Sequence, residues 1–228
     1  MTLIKTENLT KIYSDGKVQV EALKSVNLEI EAGEFVVVAG PSGSGKTTLL
    51  NLIGGLDKPT DGKVYLEGVD ISLLKRDEMA DFRLRKIGFI FQAYNLIPVL
   101  TAFENVELPL ILLGISESER RKRVMEVLNL LEIGELADKK PNEMSGGQQQ
   151  RVAVARAIVT NPSIVLADEP TAHLDSKTGA MLIDLMQEMN RKRGITFVIC
   201  SHDPQVIQKA GRLIKLRDGT IEDDKKFW

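Results

Sequence analysis

The sequence is poor in three things, and each shortage closes off a class of function. It has one cysteine in 228 residues, which excludes an internal disulfide and any metal site built on cysteine thiolates. That residue, Cys200, lies in the apolar run Ile195-Thr-Phe-Val-Ile-Cys200, where the expected role is that of a small buried hydrophobe. Basic charge is not in excess: 30 Lys and Arg against 32 Asp and Glu leave a formal charge of −2. A general nucleic-acid binder needs a positive field that this chain lacks. Long apolar runs are missing too. The most lipophilic stretch, Leu108-Pro-Leu-Ile-Leu-Leu-Gly-Ile115, falls well short of the ~20 residues that span a bilayer. The first residues, Met1-Thr-Leu-Ile-Lys-Thr-Glu7, lack the charged-then-apolar order of a secretory leader. The expectation is a cytoplasmic protein that reaches a membrane, if at all, through a partner.

What is present supports an ordinary globular core, with 43% hydrophobic and 27% charged residues. No Gly/Ser linker, low-complexity tract or repeat interrupts the chain, so it reads as one domain with two lobes. β-type runs cover Leu3 to Leu9, Val26 to Ile30 and Glu34-Phe-Val-Val-Val-Ala39. The last is continuous and β-branched, as in a strand buried on both faces. A glycine-rich loop follows it, then a helical pattern to about Ile53. Lys63 to Leu66 reads as a strand, with Asp61-Gly62 as the turn before it. From about 76 to 144 the character becomes more helical. Val124, Val127, Leu128 and Leu131 stand at i, i+3, i+4 and i+7 and predict an amphipathic helix over Glu119 to Leu131. Beyond it the expected order is a helix from near Ser145, a strand over Ser163 to Ala167 and a helix over Ser176 to Arg193. Leu182, Leu185, Met186 and Met189 form the buried stripe of that helix. A strand over Thr196 to Cys200 follows, then a closing hairpin at Leu213 to Leu216 with the turn Asp218-Gly219. Alternation on both sides of a helical insert implies an α/β fold with a mostly parallel core sheet. The boundaries are a core lobe over about 1–91 and 145–228, and a helical subdomain over about 92–144.

Gly40-Pro-Ser-Gly-Ser-Gly-Lys-Thr47 fits the pattern G-x-x-x-x-G-K-[ST] in the required context, a buried strand before it and a helix after it. Gly40, Gly43 and Gly45 let the backbone curl so that N–H groups face phosphate oxygens. Pro41, Ser42, Ser44 and Thr48 complete the cradle, and the helix beginning near Gly45 adds its positive end. Lys46 is placed to reach β- and γ-phosphates, and the Thr47 hydroxyl to ligate Mg²⁺. A chance glycine-rich turn is the bland alternative. Against it stand two acids that end the apolar strand Ser163-Ile-Val-Leu-Ala-Asp168: Asp168 for the Mg²⁺ water shell, and Glu169 to orient and deprotonate an attacking water. His202 follows the last core strand. Taken alone it reads as a loop or core histidine; in this setting it could reach the γ-phosphate.

Ser145-Gly-Gly-Gln148 makes a second anion-binding helix start, with Ser145 as N-cap and Gly146 and Gly147 exposing backbone N–H groups. A chain with one phosphate cradle does not need another for the same nucleotide; a second copy could use it. This segment resembles the signature of the ABC ATPases, usually Leu-Ser-Gly-Gly-Gln, with Met144 here at the leucine position. Other markers of that family match in order. Tyr13 stands where an aromatic stacks on adenine, and Gln92 where a glutamine touches Mg²⁺ and the attacking water. Thr171-Ala-His-Leu-Asp175 matches the segment that crosses the family's dimer interface, and Ser201-His202 matches its switch histidine. The resemblance implies a P-loop NTPase core with an antiparallel N-terminal β lobe and an inserted helical subdomain. It implies hydrolysis of ATP with Mg²⁺ by an ATP-dependent homodimer, each nucleotide lying between Gly40–Thr47 of one copy and Ser145–Gln148 of the other. It further implies an integral membrane permease docked near Gln92 and the helical subdomain, and so a place on the inner face of the membrane.

Phe91-Gln-Ala-Tyr-Asn-Leu-Ile-Pro98, Leu100 to Pro109 and Asn51 to Thr60 are similar to the lipoprotein-releasing and macrolide-export subfamily. His173 is a departure, where close relatives usually carry alanine. Either it alters packing or signalling across the dimer interface, or it is a tolerated surface substitution. The rival readings are a soluble ABC ATPase acting on nucleic acid or the ribosome, and a P-loop kinase or GTPase, which has no use for Ser145-Gly-Gly-Gln148. The tail Asp223 to Trp228 reads as a frayed terminus, with a docking peptide as the alternative.

Overall fold

The computed structural model describes residues 1–14, 16 and 18–228. In chain order the strands are β1 (Thr2–Ser14), β2 (Gln19–Glu31), β3 (Phe35–Ala39), β4 (Asp61–Leu66), β5 (Val69–Asp70), β6 (Ile87–Ile90), β7 (Ile164–Asp168), β8 (Thr196–Ser201), β9 (Arg212–Arg217) and β10 (Thr220–Lys226). The α-helices are α1 (Lys46–Ile53), α2 (Arg76–Lys86), α3 (Ala102–Leu112), α4 (Glu117–Leu130), α5 (Gly146–Ile158), α6 (Ser176–Arg193) and α7 (Pro204–Gln208).

Two sheets are built from these strands. An antiparallel sheet has the order β2-β1-β4-β5, and a larger sheet has the order β10-β9-β3-β8-β7-β6. Within the larger sheet β9, β3, β8, β7 and β6 pair in parallel, and β10 adds an antiparallel edge. All residues of β3 and β8 are buried, because both faces of the parallel sheet are covered. Alternate side chains feed two cores. Val36, Val38, Leu166 and Val198 join Leu23, Leu28, Ile30 and α1 residues Leu49 and Leu52 beneath the antiparallel sheet. Phe35, Val37, Val165, Phe197 and Ile199 join Val106, Val124, Leu128, Val154 and Met186 from α3, α4, α5 and α6 on the other face.

Three local expectations need correction, and one helix had no pattern of its own to read. β1 and β2 run well past the apolar segments, because ladder pairing continues through Ile12↔Glu21 and Tyr13↔Val20 after the buried alternation has ended. Asp61 and Gly62 belong to β4 and form no turn; Asp61 pairs with Thr10, and Gly62 has φ 83°. Helix α2 buries one residue, Met79, so it carries no periodic stripe to read. The tail is ordered: β10 pairs with β9 through Lys226↔Arg212, and Phe227 N–H donates to Gly211 O at 2.8 Å. Among the described residues no helix is long and apolar enough to cross a membrane.

Candidate active site

In parallel α/β sheets, ligands collect beyond the carboxyl ends of the strands, and the register places three such ends together here. Ala39 of β3 lies opposite Ser201 of β8, and Cys200 of β8 lies opposite Asp168 of β7. The segments that leave these ends are the glycine-rich loop, Glu169 and His202.

The three glycines of the loop are needed for different reasons. Gly45 caps α1 with φ 101°, and a Cβ there would lie 2.5 Å from the Ala22 carbonyl oxygen. At Gly40 a Cβ would lie 2.1 Å from Leu216 O. The loop is therefore pressed between β2 and β9, and only glycine fits at these two points. Gly43 differs from both: a Cβ there would meet nothing within 4 Å, but its φ is 79°. Its glycine answers to the left-handed curl of the backbone and not to a shortage of space. Within the loop the Lys46 side chain is buried, and its ammonium donates to the carbonyls of Gly40 at 2.7 Å and Pro41 at 3.0 Å. Two of its three N–H donors are occupied by the loop itself. Ser44 Oγ is buried with no hydrogen-bond partner among the described residues.

Thr47 Oγ1 donates to Asp168 Oδ1 at 3.2 Å. Burial, reinforced by the neighbouring Glu169 charge, pushes the Asp168 carboxyl up against the opposing pull of Thr47 and Lys46. A hydroxyl and a desolvated carboxylate in contact are hard oxygen donors that a divalent cation would satisfy, so these residues fit Mg²⁺. Glu169 follows with φ 46°, a left-handed conformation that costs a residue with a Cβ about 1–3 kcal/mol. Its backbone N–H donates to Cys200 O at 2.9 Å. Its carboxylate accepts from Ser201 Oγ at 3.1 Å and lies 2.6 Å from His202 Nδ1. The glutamate side chain is 14% exposed and the imidazole 71%, so Glu169 is aimed by an inner hydroxyl and an outer ring. Cys200 is buried beside them, its thiol 3.4 Å from Lys46 O and pushed well up by burial, which suits an inert packing role.

Beside these groups lies one cavity of about 600 Å³, within the range of small-molecule sites. It is lined by Tyr13, by Gly43 and the other residues of Pro41–Thr48 except Ser44, and by Gln92, Glu169 and His202. Val20 and Ala22 of β2 complete the lining. Gly40 and Ser44 are not among the residues lining this cavity; a Cβ on Gly40 would meet Leu216 O, and the Ser44 side chain is buried. Asp168 reaches it through Thr47. The Tyr13 hydroxyl donates to Asp57 Oδ2 at 3.0 Å, and Lys11 Nζ stands 4.9 Å from the ring centroid. The phenol is thus held at its hydroxyl, with a cation over the ring.

Ser145, Gly146, Gly147 and Gln148 do not line this cavity. They start α5 in a reciprocal cap, with Ser145 Oγ accepting from Gln148 N–H at 3.3 Å and Gln148 Oε1 accepting from Ser145 N–H at 2.8 Å. The two glycines also serve packing. A Cβ on Gly146 would lie 2.8 Å from the Tyr94 hydroxyl, and one on Gly147 would lie 2.5 Å from Thr178 Cγ2.

Several supporting contacts escaped the sequence reading because the partners are remote along the chain. Asp57 is 44 residues from Tyr13. Arg156, its guanidinium depressed by burial, donates to Asn95 O at 2.6 Å and Tyr94 O at 2.9 Å, fastening two residues of positive φ. His173 contacts Gln92 of its own chain across 81 positions.

The profile of the ABC transporter family matches residues 23–172. Over 229 residues the chain is 52% identical to the uncharacterized ABC transporter ATP-binding protein MJ0796 of Methanocaldococcus jannaschii, covering 99% of this chain and 97% of that protein. It is 48% identical over 222 residues to the macrolide export ATP-binding/permease protein MacB of Brucella melitensis, covering 97% of this chain but 34% of MacB. A dimeric structure of a post-hydrolysis state of the ATP-binding cassette MJ0796, bound to ADP and Pi, matches with a TM-score of 0.91 and 51% identity over 98% of each chain. The phosphate loop, the paired acids and these relatives lead to one assignment: the chain belongs to the ABC transporter family, as an ATP-binding cassette that hydrolyses ATP.

Proposed function

We propose that this chain is the motor subunit of a membrane transporter of the lipoprotein-releasing or macrolide-export kind, and that it works as a head-to-tail homodimer closed by ATP. One observation carries the dimer: the cavity collects Tyr13, the phosphate loop, Glu169 and His202, whereas the anion-binding start of α5 lies outside it. A second copy supplies what the first leaves unused. In this reading the Lys46 ammonium exchanges the Gly40 and Pro41 carbonyls for phosphate oxygens, and Tyr13 stacks on adenine. Glu169 takes the proton of the attacking water while His202 and Ser201 hold its carboxylate in line. Thr47, Asp168 and Gln92 would hold Mg²⁺, which when bound neutralises charge on the phosphate oxygens. The γ-phosphate bridges the loop of one copy to the second copy's Ser145, Gly146, Gly147 and Gln148.

Charge-assisted contacts are worth about 1.5–3 kcal/mol each, and about 5.5 kcal/mol reverses a 1:99 equilibrium. A few such contacts at each of two sites suffice to close the dimer, and loss of phosphate reopens it. The permease docks beside Gln92 and the helical subdomain over about 92–144, where Ile97, Val99, Ile111 and Leu112 are exposed. In this reading the motor sits on the inner face of the membrane. The transporter class is supported by the likeness to MacB and by the wording of the Phe91–Pro98 loop.

Mixing two inactive variants tests the shared site. Lys46→Ala spoils the loop and Ser145→Arg spoils the α5 start, yet a mixed dimer keeps one intact pair. Mixing should restore about a quarter of the ATPase rate of the unmutated protein, with nucleotide still bound by Ser145→Arg alone. No recovery on mixing would mean that Ser145 serves its own subunit.

A further inference from the structure

His173 occupies a position the proposed chemistry leaves unused, yet it makes two contacts to a single residue that does line the cavity. Its Nδ1 lies 3.1 Å from the Gln92 carbonyl oxygen, and its Nε2 lies 3.4 Å from Gln92 Nε2. A neutral imidazole with its proton on Nδ1 satisfies both at once, donating to the carbonyl and accepting from the amide. That arrangement uses the amide nitrogen of Gln92 and leaves its Oε1, the hard oxygen, unengaged by the imidazole. Among the described residues no other hydrogen bond holds the Gln92 side chain. The ring also meets Tyr94 edge-on, with centroids 6.2 Å apart and planes at 84°, and the carbonyl of Tyr94 is fastened by Arg156.

The other end of this connection is equally firm. His173 stands four residues after Glu169 on a run of closed turns. Ala172 N–H donates to Glu169 O at 3.1 Å and Leu174 N–H to Thr171 O at 3.0 Å. Asp175 then caps α6, accepting from Lys177 N–H at 3.1 Å and Thr178 N–H at 3.0 Å. Little slack remains between Glu169 and the imidazole.

We infer that His173 is a positioning residue for hydrolysis: it fastens Gln92 to the turn that carries Glu169, so that both reach the reacting phosphate as one unit. This rests on the reading of Gln92 as part of the ATPase machinery. Without the imidazole, the exposed Gln92 side chain must be ordered afresh in each turnover, a loss of rotamer freedom that slows the reaction without weakening the loop's hold on ATP.

The test compares kcat and KM for ATP, with Mg²⁺ saturating, in His173→Ala, His173→Asn, Gln92→Ala and the double variant Gln92→Ala/His173→Ala. His173→Ala should lower kcat about 5–10-fold with KM changed less than about 2-fold. His173→Asn, whose amide N–H can replace Nδ1–H toward the Gln92 carbonyl, should recover part of that loss. In the Gln92→Ala background the histidine substitution should cost nothing more. An unchanged kcat in His173→Ala, or a full additional loss in the double variant, overturns the positioning role while leaving Gln92 in place. An unchanged kcat in Gln92→Ala overturns the reading of Gln92 and this inference with it. His173 is exposed, so the thermal midpoint should stay where it is.

Discussion

Replacing Glu169 by glutamine is the perturbation for which the structure gives the fullest forecast. The carboxylate presents one oxygen to Ser201 Oγ at 3.1 Å and the other to His202 Nδ1 at 2.6 Å. An amide of the same shape can still accept from Ser201 with its oxygen. Its nitrogen can donate to His202 Nδ1 once that ring moves its proton to Nε2. The left-handed backbone at 169 is pinned by Cys200 O and does not depend on the side chain. The variant should therefore fold and bind ATP through Lys46 and Thr47 as before. What it loses, on the proposed reading, is the base. A positioned general base contributes about 10²–10⁴-fold, which at 1.36 kcal/mol per decade is about 3–5 kcal/mol of barrier. Single-turnover phosphate release should fall by that factor, and gel filtration with Mg-ATP should trap a dimer that ADP does not support. Two outcomes refute the reasoning. Phosphate release within about tenfold of the unmutated rate would remove Glu169 from the role of base. A variant that stays monomeric with saturating Mg-ATP would sink the shared-site account itself.

Other consequences follow from particular contacts. Asp57→Asn weakens the acceptor that holds the Tyr13 hydroxyl and should raise KM for ATP about 2–5-fold with kcat little changed; an unaltered KM would dissociate Tyr13 from base stacking. Gly147→Ala forces a Cβ to within 2.5 Å of Thr178 Cγ2 and should destabilise the fold by about 1–3 kcal/mol in urea denaturation. Adding Thr178→Ser removes that methyl and keeps the hydroxyl that bonds Asp175, so the double variant should regain most of the loss. Burial raises the Glu34 carboxyl, but hydrogen bonds from Lys226, Arg212 and the Glu31 backbone outweigh it and leave the group below its ordinary 4.5. A depressed folded value means stabilisation present above about pH 4.5 and lost as pH falls through the folded value. Glu34→Gln should flatten that acid limb, and an unchanged pH profile would show that the Lys226 and Arg212 pairs contribute nothing.

The sequence by itself determined the parts of this protein whose physics is local. The run over β3 has no polar residue to offer a solvent face, so it had to be a strand buried on both sides. Val124, Val127 and Leu128 repeat with the helical period, and all three are buried on α4. The glycine-rich loop leading into α1 was legible because its residues are consecutive, and the capped helix start at Ser145 for the same reason. Helix α2 was not legible, since a helix that buries only Met79 leaves no stripe. Tertiary structure alone decided which side chains hold the chemistry in place. Asp57 reaches Tyr13, Arg156 reaches Tyr94, and Ser201 and His202 reach Glu169, across separations that carry no periodic signal. His173 shows the division most clearly. Its sequence neighbours suggest only an odd residue beside an interface, whereas the fold of the turn after Glu169 sets it against Gln92. A hydrogen bond depends on where two atoms lie, and for residues 81 positions apart that is settled by how the strands and helices between them pack.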